Sequence, residues 1–322
     1  MIDITGCGYS TMCCNRSFYR NVRDRMQPKL EINHIVKKYG NITALRDTNL
    51  VLTPGIYGLL GPNGAGKSTL MKILTQTIES NKGNVFYEGQ DIRKMGSAYR
   101  ELIGYMPQQQ GMYEFFSAKN FLRYMAALKG IPKKQAETEI VQALKLVHLE
   151  DVADQKLGTF SGGMKQRILI AQAILGNPKI LIFDEPTAGL DPKERIRIRN
   201  MISQIALDHI VIIATHVVSD VEFIAKEIVL LKKGEVLGAK SPALWLKQLE
   251  GHVFEIEVQE AELEEIEKQY LVCNIRRDEH DRIWVRTILE NTQIDREKRI
   301  AAPTLEDLYL FLFQEDGEID AL

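Results

Sequence analysis

The 322-residue chain has no stretch approaching the roughly 18 consecutive apolar residues that a membrane-spanning helix needs. Its longest apolar runs, such as Ile180 to Phe183 and Ile210 to Ala214, are strand-sized, so the sequence reads as that of a water-soluble protein. Cysteine is scarce as well. Cys7, Cys13, Cys14 and Cys273 form no C-x2-C pair and have no histidine at metal-ligand spacing, which argues against a zinc or disulfide framework and favours reduced thiols. The first 25 residues lack the apolar core of a secretory signal. Residues 1–28 are expected to be a disordered extension, or sequence ahead of a start at Met26, and carry no assigned function. Neither an internal repeat nor a low-complexity tract is present.

What is there can build a core: 45% of residues are hydrophobic and 26% charged, and the length suggests about two domains. The formal net charge of −2 conceals an asymmetry. Residues 250–322 carry 20 acidic and 8 basic side chains, whereas residues 1–249 carry 23 acidic and 33 basic. An acidic back end argues against nucleic acid as a partner, and the basic body suits a phosphate-bearing ligand or an anionic membrane surface.

Strands are predicted at Leu30–Val36, Ile42–Leu52, Ile56–Leu60, Ile103–Met106, Ile180–Phe183 and Ile210–Thr215. Helices are predicted at Lys67–Thr77, Asn120–Gly130, Lys133–His148, from Ser161 to about Leu175, and at Pro192–Leu207. Apolar runs that do not alternate, interleaved with helices, indicate a parallel sheet buried on both faces. A second unit is expected over 251–322, with strands at His252–Val258 and Ile283–Val285 and an acidic helix at Glu260–Gln269. A last helix has Thr304 as its N-cap and Asp307 three residues on. Its apolar stripe of Leu305, Leu308, Tyr309 and Leu312 must dock on something.

Three motifs carry chemistry. Gly61-Pro62-Asn63-Gly64-Ala65-Gly66-Lys67-Ser68 follows a strand and opens a helix, the context a phosphate-binding loop requires. Its glycines let backbone N–H groups converge on phosphate oxygens, Lys67 would reach the β- and γ-phosphates, and Ser68 would ligate Mg²⁺. Ile180-Leu181-Ile182-Phe183-Asp184-Glu185-Pro186 places Asp184 at the carboxyl end of a buried strand, where it can hold Mg²⁺, with Glu185 beside it to polarise water. Alone, Asp-Glu-Pro would be no more than a strand end entering a turn. The third motif, Thr159 to Arg167, has Ser161 capping a helix whose start exposes the N–H groups of Gly162 and Gly163. Ser161 lies 19 residues before Ile180.

In this order the motifs resemble those of the ATP-binding subunits of ABC transporters, whose signature is L-S-G-G-Q. Phe160 stands for the usual Leu and Met164 for the usual Gln, and the serine–glycine core is intact. The resemblance covers about residues 29–249. It implies an α/β P-loop NTPase core of ABC type over 29–250, with an antiparallel β subdomain and an α-helical subdomain. The small acidic α+β appendage over 251–322 lies beyond it.

The resemblance also implies roles. ATP would be bound by Tyr39, Gly61, Pro62, Asn63, Gly64, Ala65, Gly66, Lys67, Ser68 and Thr69, with Tyr39 stacking on adenine; a turn tyrosine packed on the sheet is the alternative. Mg²⁺ would be held by Ser68, Asp184 and Gln108, the last assigned from Pro107 because Gln109 and Gln110 follow it. Lys67, Gln108, Glu185 and the switch histidine His216 would be catalytic. Ser161, Gly162 and Gly163 would arrive from a second subunit, and Asp191 would belong to the D-loop. Subunits of this family form head-to-tail homodimers or heterodimers and dock a transmembrane permease on the segment here spanning Met112 to Gly130, on the cytoplasmic side of the plasma membrane. The segments Gly55 to Leu60 and Ala302 to Asp307 are similar to bacterial export-type subunits with a separately encoded permease. A soluble ABC ATPase acting on ribosome or DNA is the alternative. Such proteins usually carry two ATPase halves or a long coiled-coil insertion, whereas here one half is present and about 50 residues separate Gln108 from Ser161.

Overall fold

The structure, a computed structural model, describes residues 28–108, 111–289 and 298–313. The expected N-terminal extension up to residue 27, Gln109, Gln110 and parts of the acidic unit lie outside the described residues.

Six strands build the central sheet in the order β10-β9-β3-β8-β7-β6. They are β3 (Gly55–Leu60), β6 (Ile103–Met106), β7 (Ile180–Asp184), β8 (Ile210–Ala214), β9 (Glu227–Lys232) and β10 (Glu235–Lys240). Pairing is parallel from β9 through β3, β8 and β7 to β6, and only β10 runs antiparallel. The period of two along each strand divides its side chains between two cores. Leu181 and Phe183, Val211 and Ile213, and Ile56 and Leu60 face the core shared with the helices. Ile180 and Ile182, Ile210 and Ile212, and Tyr57 and Leu59 face the other side. A strand buried on both faces must be apolar at every position, which is why these runs do not alternate.

The second face is covered by an antiparallel sheet ordered β2-β1-β4-β5, made of β1 (Leu30–Tyr39), β2 (Ile42–Leu52), β4 (Lys82–Tyr87) and β5 (Gln90–Asp91). Leu30, Ile32, Leu50 and Leu52 seal it against α1 (Lys67–Leu74). Two short helices, α2 (Ile92–Met95) and α3 (Ser97–Glu101), lead into β6. The helical insertion comprises α4 (Ala118–Leu128) and α5 (Lys133–Leu146), followed by α6 (Gly162–Ile174). Ser117 caps α4, accepting from Asn120 N at 3.2 Å, so that helix starts two residues earlier than predicted. Helix α7 (Pro192–Ile205) connects β7 to β8.

After α8 (Pro242–Leu246) comes a third sheet, ordered β12-β13-β11-β14, from β11 (Val253–Val258), β12 (Leu271–Arg277), β13 (Ile283–Ile288) and β14 (Lys298–Ile300). Ile256, Val258, Ile283 and Val285 close a small core with Ile266 of α9 (Leu263–Gln269). Val253 and Ile288 instead join the large helix-side core, together with Leu305 and Leu308 of α10 (Leu305–Leu312). Thr304 and Asp307 form the capping box at the start of α10. The stripe read from the sequence therefore docks on the main body.

Candidate active site

The turns that follow β3, β7 and β8 leave the same edge of the sheet, because the register pairs Leu59 and Asp184 with the same residue, Ala214. Loop 61–66 after β3 winds tightly. Gly66 has φ +110°, and a Cβ there would lie 2.6 Å from Ala44 O and 2.9 Å from Leu45 Cδ2, so only glycine fits. Gly64, at φ +80°, meets nothing. Lys67 opens α1 and turns its ammonium back over the loop, donating to Gly61 O and, at 3.1 Å, to Pro62 O. Burial pulls Lys67 below its ordinary pKa, against the opposing charges of Glu185 and Asp184. Asp184 is shifted upward by burial and then by the neighbouring Glu185 charge, with Lys67 opposing. Both shifts have one main cause: the pocket these groups share is partly desolvated, which disfavours the charged forms of Lys67 and Asp184.

Glu185 is the most constrained residue of the group. Its φ of +53° lies in the left-handed region, and its backbone N–H donates to Ala214 O at 2.8 Å. Its carboxylate accepts from His216 N at 3.1 Å, His216 Nδ1 at 2.8 Å and Thr215 Oγ1 at 3.2 Å. The His216 side chain is 63% exposed and that of Glu185 only 9%, so the imidazole faces the open side and the carboxylate is held behind it. Sequence reasoning found Glu185 and His216 but not Thr215. The Thr-His pair at the end of an apolar strand was the available signal.

The remaining predicted residues fall into separate places. Ser68 lies exposed and Thr69 half-buried in the first turn of α1; in the loop, Asn63 is exposed, Pro62 half-buried and Ala65 buried. Gln108 is exposed just beyond β6, next to β7. Tyr39 is exposed at the end of the β1–β2 hairpin, with Lys37 Nζ 5.3 Å from its ring centre. Ser161 caps α6, accepting from Met164 N at 3.3 Å, and Asp191 caps α7, accepting from Glu194 N at 3.0 Å. These two helix starts belong together. A Cβ on Gly163 would lie 2.7 Å from Glu194 Oε2, so glycine lets α6 approach α7, where Glu194 meets Arg167 at 3.5 Å and pairs with Arg197. Among the described residues, no hydrogen bond or ion pair joins this group to the loop 61–68. The lysine, the carboxylates and the histidine thus form one cluster. Ser161 and Gly162 form a second, exposed one on the same chain, whereas Gly163, expected to be open as well, is buried because α7 packs against it.

The donor set fits a nucleotide and a hard cation. Backbone N–H groups at a helix start and an ammonium suit phosphate oxygens, and the Asp184 carboxylate, the Ser68 hydroxyl and the Gln108 amide are oxygen donors of the kind Mg²⁺ prefers. Among the described residues there is no cluster of three or more His, Cys, Asp or Glu side chains placed to hold a metal ion. No helix among the described residues is long and apolar enough to cross a membrane.

Comparison with known proteins agrees. A family model described as ABC transporter matches residues 45–188. The uncharacterized ABC transporter ATP-binding protein YxlF of Bacillus subtilis is 33% identical over 72% of this chain and 77% of its own length. The linearmycin resistance ATP-binding protein LnrL of Bacillus subtilis is 34% identical over 65% of this chain and 68% of its own. Among solved structures, cbiO1 from Clostridium perfringens, part of the ABC transporter complex cbiONQ, superposes with a TM-score of 0.62. It is 28% identical over 67% of this chain and 89% of that one. With relatives at this identity covered over more than two thirds of their length, the chain belongs to the family of ABC transporter ATP-binding proteins, and its cassette is an ATPase.

Proposed function

We propose that this subunit hydrolyses Mg-ATP between two head-to-tail copies, or between one copy and a related chain, and drives export through a separate permease at the cytoplasmic face of the plasma membrane. The carrying observation is the split just described: a phosphate cluster and a serine–glycine cluster on one chain with no bond between them. Lys67 and the N–H groups of loop 61–68 hold the phosphates, and Tyr39 offers its exposed ring to adenine. Ser68, Asp184 and Gln108 would hold Mg²⁺, which supplies charge neutralisation on the phosphates when bound. Glu185 orients and deprotonates the attacking water, and His216 keeps its ring toward the γ-phosphate. Ser161, Gly162 and Gly163 contact that phosphate from the partner, with Asp191 fixing the adjacent helix start.

The permease docks on the helical insertion. Tyr113, Phe115, Phe116 and Tyr124 form an aromatic cluster with ring centres 5.1–6.1 Å apart, and Phe115 is 69% exposed. Movement there reaches the signature directly: Gly158 N donates to Glu114 O at 2.9 Å, and Lys165 lies 3.6 Å from the Glu114 carboxylate. Export follows the kinship with a resistance protein and the short segments noted above. Residues 29–250 form the cassette on this reading, and 251–322 an accessory unit.

The test is Ser161→Arg. A bulky cation at the partner's site abolishes turnover while leaving ATP affinity of the isolated subunit within about threefold, because the phosphate cluster is untouched. Mixing Ser161→Arg with Lys67→Ala leaves one composite site with both clusters intact in the mixed dimer, so activity returns in part. Loss of ATP binding by the folded Ser161→Arg monomer refutes the two-chain site.

A further inference from the structure

The Glu185 carboxylate is aimed by Thr215 and His216, so whatever fixes the turn after His216 also fixes the aim of Glu185. That turn is a short 3-10 segment, Val218–Asp220. Its near end is tied by Val217 N, which donates to Thr215 Oγ1 at 3.0 Å. Its far end is tied by Asp220, a carboxylate only 3% exposed that accepts from the hydroxyl of Thr187, itself 1% exposed. Thr187 stands two residues after Glu185, inside the turn closed by Ala188 N donating to Glu185 O at 3.2 Å. The chain from Glu185 to Thr187 and the chain from Thr215 to Asp220 are therefore pinned together twice, once by the Glu185 bonds and once by Thr187–Asp220. Two further contacts hold the second segment down. Arg199 Nη1 donates to Ser219 O at 2.6 Å, and Val221 packs where a Cβ on Gly58 would lie 2.8 Å from it.

Resting on the reading of Glu185 as the base, we propose that Thr187 and Asp220 are positioning residues that hold Glu185 and His216 on the γ-phosphate. The Glu185 bonds fix the two turns to each other at one end, and the second tie, on the far side of Pro186, fixes them at the other. It also offsets the left-handed backbone at Glu185, which persists only where its surroundings over-determine it. Among the described residues no hydrogen bond or ion pair joins either one to the loop 61–68, so their effect falls on the chemical step and not on nucleotide affinity.

The experiment is steady-state ATP hydrolysis by the full chain carrying Thr187→Val, Thr187→Ser, or Thr187→Val with Asp220→Leu. The double variant replaces both members of the buried bond with apolar groups, so no polar atom is left unsatisfied and folding is preserved. Thr187→Val and the double variant lose about tenfold or more in kcat with KM for Mg-ATP within about twofold, and Thr187→Ser retains kcat near the wild-type value. In a Glu185→Gln background, Thr187→Val produces a several-fold smaller loss than in the wild type, since a base already absent cannot be misaimed and only the aim of His216 is left to disturb. Wild-type kcat in the double variant overturns the proposal, as does a rise in KM that accounts for the loss. If Thr187→Val does not fold, the double variant decides. Unchanged turnover in Glu185→Gln alone refutes the role of Glu185 instead, which keeps the two failures apart.

Discussion

Replacing Glu185 by Gln is the sharpest perturbation available to this site. The wild-type carboxylate accepts three hydrogen bonds, two from His216 and one from Thr215. A glutamine oxygen keeps both His216 bonds. Its amide then faces Thr215 Oγ1, which accepts from Val217 N at 3.0 Å and has a second lone pair for the new donor. The folded state therefore loses charge assistance and no bond count, about 1–2 kcal/mol at most. Chemistry loses far more. A positioned general base contributes roughly 10²–10⁴-fold, about 3–5 kcal/mol of barrier, and the amide cannot take the proton. Lys67, Ser68 and Asp184 are untouched, so ATP affinity stays within about threefold of wild type. On the proposed two-chain site, ATP contacts both subunits only in the closed dimer and so favours that state by differential affinity. The variant should run as a dimer on size-exclusion chromatography with Mg-ATP, where the wild type dimerises only transiently, and should release phosphate at least about a hundredfold more slowly. A variant that hydrolyses like the wild type, or that binds ATP and stays monomeric, refutes the assignment.

Two further outcomes follow from buried charges. Arg286 meets Asp307 twice, Nε to Oδ1 at 2.8 Å and Nη2 to Oδ2 at 2.7 Å, with Asp307 only 2% exposed. Asp307→Asn should cost about 3–5 kcal/mol in urea unfolding, as expected when one partner of a buried pair is removed. Burial alone would raise the Asp307 carboxyl, but the bonds from Arg286 and Thr304 outweigh it and hold the group below its usual range. Its stabilisation is thus complete above roughly pH 4 and fades as pH falls through the lower folded value, so the wild-type advantage over Asp307→Asn should shrink in acid and not in base. Lys129 is shifted in the same direction for a different reason, burial of the charged form, and its window lies at higher pH. Burial lowers it to about 8, although its ammonium donates to the carbonyls of Gln172, Ala173 and Leu175 at 3.1, 3.1 and 2.8 Å. Between about pH 8 and 10.4 the unfolded chain binds the extra proton, so stability gains an increment as pH rises through that window. A Lys129→Met variant should lack the increment, and an identical pH dependence in both chains refutes the shift.

The parts of the site legible in the sequence are those whose chemistry is local. The loop 61–68 is one continuous segment, and its glycine positions are fixed by approaches such as that of Gly66 to Ala44, which leave a mark as residue type. The strands β7 and β8 are legible because burial on both faces leaves them apolar throughout, except for Asp184 at the open end of β7. Helix ends were less so. The first helix after the loop stops at Leu74 and not at Thr77, since Gln76 turns into the left-handed region at φ +55° without a glycine to announce it. The hairpin of β9 and β10 turns on Lys233-Gly234, both at positive φ, a signal present in the sequence and not used.

Bonds between distant segments left no such trace. Thr187 and Asp220 are 33 residues apart, and a threonine in a turn and an aspartate four residues past a histidine are each unremarkable alone. The docking of α10 is similar in kind. Its stripe announces that it must pack somewhere, but only the fold shows where: Leu305 N approaches the Glu222 carboxylate at 3.4 Å, and Lys232 Nζ caps Leu312 O at 2.7 Å. Leu305 and Leu308, each 2% exposed, share the core that contains Val218, the first residue of the turn behind His216, and Val221, the residue just after it. At about 1.5–3 kcal/mol for each fully buried side chain, that contact is comparable to a large fraction of a domain's net stability. The acidic unit read from composition as an appendage is therefore packed, through one helix, against the back of the switch turn, and the charge asymmetry that made it visible in the sequence says nothing of that contact.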